Sequence, residues 1–143
     1  MGLIEVTINN RAADVMGKRG HDKARKAHIN ALRKGIAHME RHHKRKEWLP
    51  GGGKKAFRNP HPTMLRVRTG RLWKSYGSLV LERALEARYG SDESYSRIHE
   101  FGGMAGRNHA SRIPARPGVK RTIDATANAI ERIFDKALDK EGL

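Results

Sequence analysis

The sequence predicts an α+β fold, in which a small antiparallel sheet is combined with a long basic N-terminal helix and an amphipathic C-terminal helix. Three observations favour this class. The first part of the chain places apolar residues at helical spacing opposite a run of cations. The middle contains two short stretches that alternate apolar and polar residues, as half-buried strands do. The last segment repeats apolar residues every three or four positions, which is typical of a surface helix.

The length and the charge of the chain narrow the interpretation. A chain of 143 residues suits a single domain over residues 1–143. Its net charge of +15 is uneven, because residues 1–70 carry 17 Lys and Arg against 5 Asp and Glu, whereas residues 119–143 carry 5 of each. A field of this strength attracts polyanions or acidic protein surfaces. We therefore expect the basic half to meet a macromolecular partner.

Several classes of protein are disfavoured by what the sequence lacks. It contains no cysteine, which excludes disulfides and thiol catalysis. The N-terminus lacks the basic and apolar regions of a signal peptide, and no apolar run approaches the ~20 residues that span a bilayer. We therefore expect a protein that is made in a cytoplasm and has no membrane partner.

The basic half is predicted to be mostly helical. The β-branched stretch Leu3–Ile8 predicts a strand, and residues 11–47 predict a helix with a break near 17–20. One face of this helix is apolar, and its residues follow one another at offsets of three and four: Ile29, Leu32, Ile36 and Met39. The opposite face carries the cations. Residues 49–68 lack periodicity and contain glycines and prolines, so they predict a long loop.

Residues 69–141 are predicted to form the core of the fold. Thr69 is expected to cap a short helix that ends before Gly77. Two alternating stretches, Ser78–Glu82 and Leu85–Tyr89, follow with only two residues between them. This spacing predicts a tight antiparallel hairpin.

The chain after the hairpin is predicted to turn twice before its last helix. A short helix capped by Ser91 or Asp92 should be followed by a polar loop over residues 104–112. Ile113–Pro117 should be extended, because residues before proline avoid the α region. The last helix carries one apolar stripe, which consists of Ile123, Ala127, Ile130 and Phe134, with Ile133, Ala137 and Leu138 beside it.

Histidines raise the question of a metal site. His38 and His42 lie on one helix face at the spacing of zinc ligands, but Glu40 stands where it could not act as the general base of a zinc peptidase. We expect a solvated helix face, with a metal-dependent nuclease as the alternative. His99 lies beside Glu100, but neither a nucleophile nor a substrate pocket is visible for a general base, so we expect a structural role for His99. The sequence predicts no catalytic residue, metal or cofactor.

The basic helix and the loop after it form the candidate surface for a partner or for nucleic acid, because Lys and Arg bind phosphates without sequence preference. Trp48 and Phe57 are candidates for stacking on bases. The glycines at 51–53 precede two lysines, but they do not complete a phosphate-binding loop. The residues predicted to contact a partner or DNA are Arg41, Lys44, Arg45, Lys46, Lys54, Lys55 and Arg58.

Three short motifs stand in order in the second half of the chain. They are Thr69-Gly70-x-Leu72-x-x-Ser75, then Tyr95-x-x-Ile98-His99-x-Phe101-Gly102-Gly103, then Ile113-Pro114-Ala115-Arg116-Pro117. Together with the final helix they resemble the phage virion morphogenesis, or tail completion, proteins of Mu-like and P2-like phages. The resemblance covers residues 69–141, and it leaves the basic half unexplained.

The residues themselves predict scaffold roles for these motifs. Ile98 and Phe101 are three apart, so they are expected to share one buried helix face with Tyr95. Gly102 and Gly103 permit a reversal of the chain with positive φ. The prolines of the third motif fix an extended edge before the last helix.

The resemblance implies a non-enzymatic structural protein that completes the tail or joins it to the head. It implies a homo-oligomeric ring, taken as hexameric, at the head-proximal end of the tail. The implied partners are neighbouring neck, tail terminator or tube proteins, with non-specific contact with passing DNA. The implied location is the virion, after synthesis in the host cytoplasm. Charge alone favours an alternative function, a basic DNA-binding or packaging accessory protein.

Overall fold

The computed structural model describes residues 6–8, 18–51 and 61–142, and in this part of the chain the fold is α+β, as predicted. The helices are α1 (Lys18–Lys46), α2 (Arg71–Ser75), α3 (Ser96–Phe101) and α4 (Gly118–Lys140). The strands are β1 (Val6–Ile8), β2 (Trp48–Leu49), β3 (Leu65–Arg66), β4 (Gly77–Leu81), β5 (Glu86–Gly90), β6 (Gly103–Ala105) and β7 (Ser111–Ile113). None of the described helices is both long enough and apolar enough to cross a bilayer.

Helix α1 is the centre of the fold, because α4 and the main sheet both pack against it. Its buried face is lined by small residues at one end and large ones at the other: Ala24, Ala27, Ala31, Leu32, Ile36 and Met39. A Cβ at Gly35 would lie 3.5 Å from Ile130, so the absence of a side chain lets α4 approach closely. The predicted helix end is confirmed to within one residue, whereas the predicted break near 17–20 falls partly outside the described residues.

The main sheet has the strand order β1-β5-β4, and both pairings are antiparallel. The predicted hairpin is confirmed, but its connection contains four residues, because Leu81 pairs with Glu86. Leu85 adopts a φ of 53° in this connection, which takes the place of the missing Asn-Gly turn. Ala87 and Tyr89 of the central strand point into the core.

Two short strand pairs were not predicted from the sequence. Trp48 and Leu49 form a parallel ladder with Leu65 and Arg66, so β3 lies inside the predicted loop 49–68. The predicted polar loop 104–112 is instead a second hairpin, β6–β7, with a 3₁₀ turn at its tip. These strands contain two or three residues each, which is too short for a period of two to be visible.

Two capping predictions were changed by the structure. Helix α3 has Tyr95 at its N-cap with no side-chain cap, so neither Ser91 nor Asp92 caps it. The Ser91 hydroxyl instead accepts a hydrogen bond from the Glu93 N–H at 3.2 Å. Thr69 stands one residue before the N-cap of α2, and its hydroxyl accepts the Arg71 N–H at 3.3 Å.

Helix α4 runs antiparallel to α1 and contributes one side of the core. Ile123, Ile130 and Phe134 pack against the buried cluster as predicted, but Ala127 is exposed. Thr122 and Thr126 are fully buried instead. Their hydroxyls donate to backbone carbonyls one turn earlier, at 2.8 and 2.7 Å, so a polar side chain is tolerated in the interface.

Phe134→Ala should lower the free energy of unfolding by about 2–4 kcal/mol, because the ring packs edge-on against His28 at 5.1 Å and the substitution leaves a cavity between the two long helices. Urea unfolding at pH 7 measures this loss. Lys136→Ala is the control, because Lys136 is exposed on the same helix and removal of its side chain should change stability little. Equal effects of the two substitutions would contradict the assigned packing of α4.

Candidate functional site

A cleft of about 590 Å³ lies between β3, α2, α3 and the segment that follows β7. Its lining includes three aromatic residues (Trp48, Trp73 and Tyr95) and three arginines (Arg66, Arg68 and Arg116). The remaining lining is mainly aliphatic, with two histidines and no carboxylate among the described residues. Such a cleft offers apolar contact area together with positive charge.

The three sequence motifs meet at this cleft. Eight of their fifteen residues line it: Thr69, Gly70, Leu72, Tyr95, His99, Ile113, Pro114 and Arg116. The other seven are not part of its lining: Ser75, Ile98, Phe101, Gly102, Gly103, Ala115 and Pro117. Segments more than forty residues apart in sequence, from Thr69 to Pro114, therefore build one surface.

The third motif is held in place by backbone contacts. The Arg116 N–H donates to the His99 carbonyl at 2.7 Å, and the Arg116 Nε donates to the His61 carbonyl at 2.9 Å. Gly102 has φ 74° and ψ 177°, and a Cβ there would lie 2.9 Å from the Ala115 nitrogen. The glycine therefore allows the segment after β7 to lie directly on the end of α3.

His99 lies in the wall of the cleft. Burial, followed by the positive charge of Arg116, lowers the pKa of His99, so the imidazole is neutral at pH 7. Its Nδ1 is buried and has no hydrogen-bond partner in the described part of the chain. The ring of Tyr95 packs edge-on against the imidazole, with 6.1 Å between the ring centroids. Since the lining carries no carboxylate to orient the ring, this arrangement suits binding better than proton transfer.

Phe101 is not buried, contrary to the prediction. Its side chain is 66% exposed, whereas Ile98 is half-buried and approaches Gly103. The short helix α3 turns its Glu100 inward instead of Phe101. Met104 on β6 is also half exposed, so this part of the chain presents apolar side chains to solvent.

Glu100 is a structural residue that sequence reasoning missed. Its buried carboxylate accepts the Val119 N–H at 3.1 Å and the Lys120 N–H at 2.9 Å, which caps the first turn of α4. Burial raises the pKa of Glu100 against the opposing effect of these hydrogen bonds. The sequence did contain a signal for this role. Glu100 is an acidic residue inside a motif, and Pro117 and Gly118 at the start of the last helix offer no side chain that could cap it.

His38 and His42 do not belong to a metal-binding cluster in the described residues, where no group of three potential ligands occurs. The His42 Nε2 lies 3.7 Å from a Glu47 carboxylate oxygen, and the same carboxylate accepts a hydrogen bond from Arg121 Nε at 2.6 Å. His42 therefore belongs to a polar contact that joins the end of α1 to α4.

The neighbouring His43 lies in the core. Its Nδ1 shares a 2.7 Å hydrogen bond with the Tyr89 hydroxyl, and the rings of Trp48 and Tyr76 surround it. Burial lowers the pKa of His43 to about 3, and nearby positive charges act in the same direction. Trp48 is only 8% exposed, so the proposed stacking of this residue on bases is wrong.

The residues predicted to contact a partner differ in their surroundings. Arg41, Arg45 and Lys46 are exposed. Lys44 instead pairs with Glu40 at 2.7 Å, and its Nζ lies 5.6 Å above the ring of Trp73. The other predicted contacts (Lys54, Lys55 and Arg58), like Phe57, lie outside the described residues.

The part of the chain that contains the three motifs is similar to known phage proteins. The family model of the phage virion morphogenesis family matches residues 42–139. A 50-residue segment is 46% identical to the Mu-like prophage FluMu G protein 2 of Haemophilus influenzae, and it covers 35% of this chain and 36% of that protein. The match thus spans about a third of the curated relative. No solved structure matches the chain. Because the family model covers α2 to α4 and the end of α1, the chain belongs to the phage virion morphogenesis family, which indicates a structural role in the virion.

Proposed function

We propose that the protein is a tail completion or head–tail joining protein of a tailed bacteriophage, which forms a ring at the head-proximal end of the tail. One observation carries this proposal: the three motifs converge on a cleft with aromatic and Arg lining. Aromatic residues and Arg dominate the binding energy of protein interfaces. We infer that such a surface holds a neighbouring protein.

The chemistry of the cleft supports one class of occupant. Arg66 and Arg116 are positive, and the described lining has no acidic residue. We infer that the cleft binds an extended segment of a neighbouring neck, tail terminator or tube protein, in which a carboxylate stands beside an apolar side chain. In the described part of the chain β3 pairs only with β2, so such a segment has an open strand edge on which to align.

Exposed apolar side chains support contacts between copies of the chain. Leu79 lies on β4, which is an edge strand of the described sheet, and it is 56% exposed. Phe101 and Met104 are exposed beside and on the β6–β7 hairpin. Subunits in a ring contact each other through two different surfaces, and these two apolar sites suit that arrangement.

Phage particles made without this protein test the role. We expect electron microscopy to show separate heads and tails, or tails of abnormal form, and we expect the wild-type gene supplied in trans to restore infectious particles. The purified protein should have a mass of about six times 16.1 kDa if the ring is hexameric. Complete and infectious particles without the protein would refute the proposal.

The cleft itself is tested by complementation with Arg66→Glu. Arg66 is exposed on β3, so this change should leave the fold intact but repel an acidic segment, and particle yield should fall at least tenfold. Arg132→Glu, at an exposed position of α4, is the matched control with the same change in charge. Equal yields from the two variants would show that the cleft does not bind the neighbour.

A further inference from the structure

Helix α1 carries a line of exposed cations on its solvent side. We name it the α1 ridge, and it consists of Lys23, Lys26, Lys34, Arg41 and Arg45. At 3.6 residues per turn these positions fall within roughly 100° of arc, opposite the face that packs on α4 and the sheet. With a rise of 1.5 Å per residue, the ridge is about 33 Å long.

The cations of the α1 ridge differ from their neighbours in their pairing with carboxylates. Among the described residues none of its five cations forms an ion pair. The neighbouring cations differ in this respect, because Arg33 pairs with Glu82 and Lys44 pairs with Glu40. The cations at the borders of the ridge are therefore paired with carboxylates. In the described part of the chain the ridge cations themselves are unpaired and available to a partner.

The composition of the ridge favours nucleic acid over protein as that partner. The ridge carries no aromatic or large aliphatic side chain, because the other residues between Lys23 and Arg45 that fall within its arc are Asn30 and Ala37, with Ala27 and Lys44 at its borders. Protein interfaces are enriched in aromatic residues and depleted in Lys, and the cleft described above has that composition. A straight row of Lys and Arg with little else fits the regularly spaced phosphates of a duplex backbone.

We propose that the α1 ridge binds the phosphate backbone of double-stranded DNA without sequence preference. The contact joins the cations to phosphate oxygens along one side of the duplex and releases condensed counterions. This inference depends on the exposure and spacing of the cations and does not rest on the proposed ring. DNA binding can therefore fail while the assembly function stands, and the reverse is equally possible.

The test is the salt dependence of DNA binding by the full chain. The probe is a fluorescein-labelled 30-base-pair duplex of arbitrary sequence, and its anisotropy is followed between about 50 and 200 mM salt. In the ridge variant the five ridge cations are replaced by Gln. We expect the slope of log K against log salt to become shallower by about 4 to 5, since each phosphate contact contributes about 0.9.

A matched control removes the same charge elsewhere. Five exposed cations outside α1 are replaced by Gln: Arg97, Arg107, Arg112, Arg132 and Lys136. Both variants have the same net charge, so a general attraction by the basic protein would weaken equally in both. We expect the control to keep most of the wild-type slope and affinity, and both variants to keep the wild-type melting temperature.

Three outcomes would overturn the proposal. The wild-type protein could fail to bind the duplex at low salt, or the ridge and control variants could lose equal affinity. Poly-L-glutamate could also displace the duplex as effectively as unlabelled DNA at the same charge concentration. That last result would identify the ridge as a docking surface for acidic proteins rather than for DNA.

Discussion

Lowering the pH from 7 to 4 should destabilise the folded protein by on the order of 3 kcal/mol through His43 alone. Its imidazole is 2% exposed, and burial lowers the pKa to about 3, whereas the unfolded chain has an ordinary value near 6.5. Between these two values the unfolded state binds a proton that the folded state does not. The stability that depends on neutral His43 is therefore complete above pH 6.5 and is lost as the pH falls towards 3.

Other buried groups change the same profile, so a difference between variants is needed. Burial also lowers the pKa of His28 and His99, and hydrogen bonds to Lys44 and Ser78 outweigh burial in lowering the pKa of Glu40. Each of these three groups contributes stability to the folded protein that is lost as the pH falls. Glu100 acts in the opposite direction, because its pKa is raised and protonation favours the folded state.

Urea unfolding of the wild type and of His43→Gln, from pH 7 to pH 4, isolates the contribution of His43. The variant should be less stable at pH 7, because it loses ring packing against Trp48 and Tyr76, but its stability should fall less steeply with acid. His109→Gln, at an exposed position, should follow the wild-type profile. Parallel curves for the wild type and His43→Gln would mean that folded His43 takes up a proton as readily as the unfolded chain does.

Long periodic elements were predictable from the sequence, whereas short ones were not. The 29 residues of α1 and the 23 residues of α4 repeat their apolar positions over many turns, so the pattern is redundant. Strand β6 has three residues, Gly103 to Ala105, and none of them is buried. Its pairing with β7 depends on the backbone reversal at Gly102 and on contacts across the hairpin, which local composition does not encode.

The candidate site was predictable as a set of residues but not as a place. The motif residues were identified, yet their convergence depends on contacts between segments far apart in sequence, such as Arg116 with His99 and with His61. Spacing also gave the wrong side for Phe101, because a helix of six residues has no continuous face to bury. For Lys44 the sequence did offer a signal, because Glu40 stands four residues earlier on the same helix and can pair with it, whereas Trp73 reaches Lys44 only through the fold.

Gly102→Ala should destabilise the protein by about 3 kcal/mol or more, through two separate effects. The backbone at φ 74° and ψ 177° is accessible to glycine and strained for any other residue. The added Cβ would also lie 2.9 Å from the Ala115 nitrogen and 3.1 Å from the Ile113 carbonyl oxygen, which are backbone atoms that must move. Urea unfolding measures the loss, and exchange of the Arg116 amide, which bonds to the His99 carbonyl, reports whether the cleft wall is displaced.

Two further glycines separate the strain from the clash. Gly106 has nearly the same backbone, φ 84° and ψ −177°, but the nearest atom to an added Cβ is the Ser111 Oγ at 3.5 Å. Gly106→Ala should therefore introduce only the backbone strain, which lowers the free energy of unfolding by about 1–2 kcal/mol. The Arg116 amide should stay protected from exchange. Gly77→Ala meets no atom within 4 Å and should change stability least. Equal destabilisation by Gly106→Ala and Gly102→Ala would mean that the close approach of the third motif to α3 adds nothing to stability. The third motif would then be held at the cleft by the hydrogen bonds of Arg116 alone.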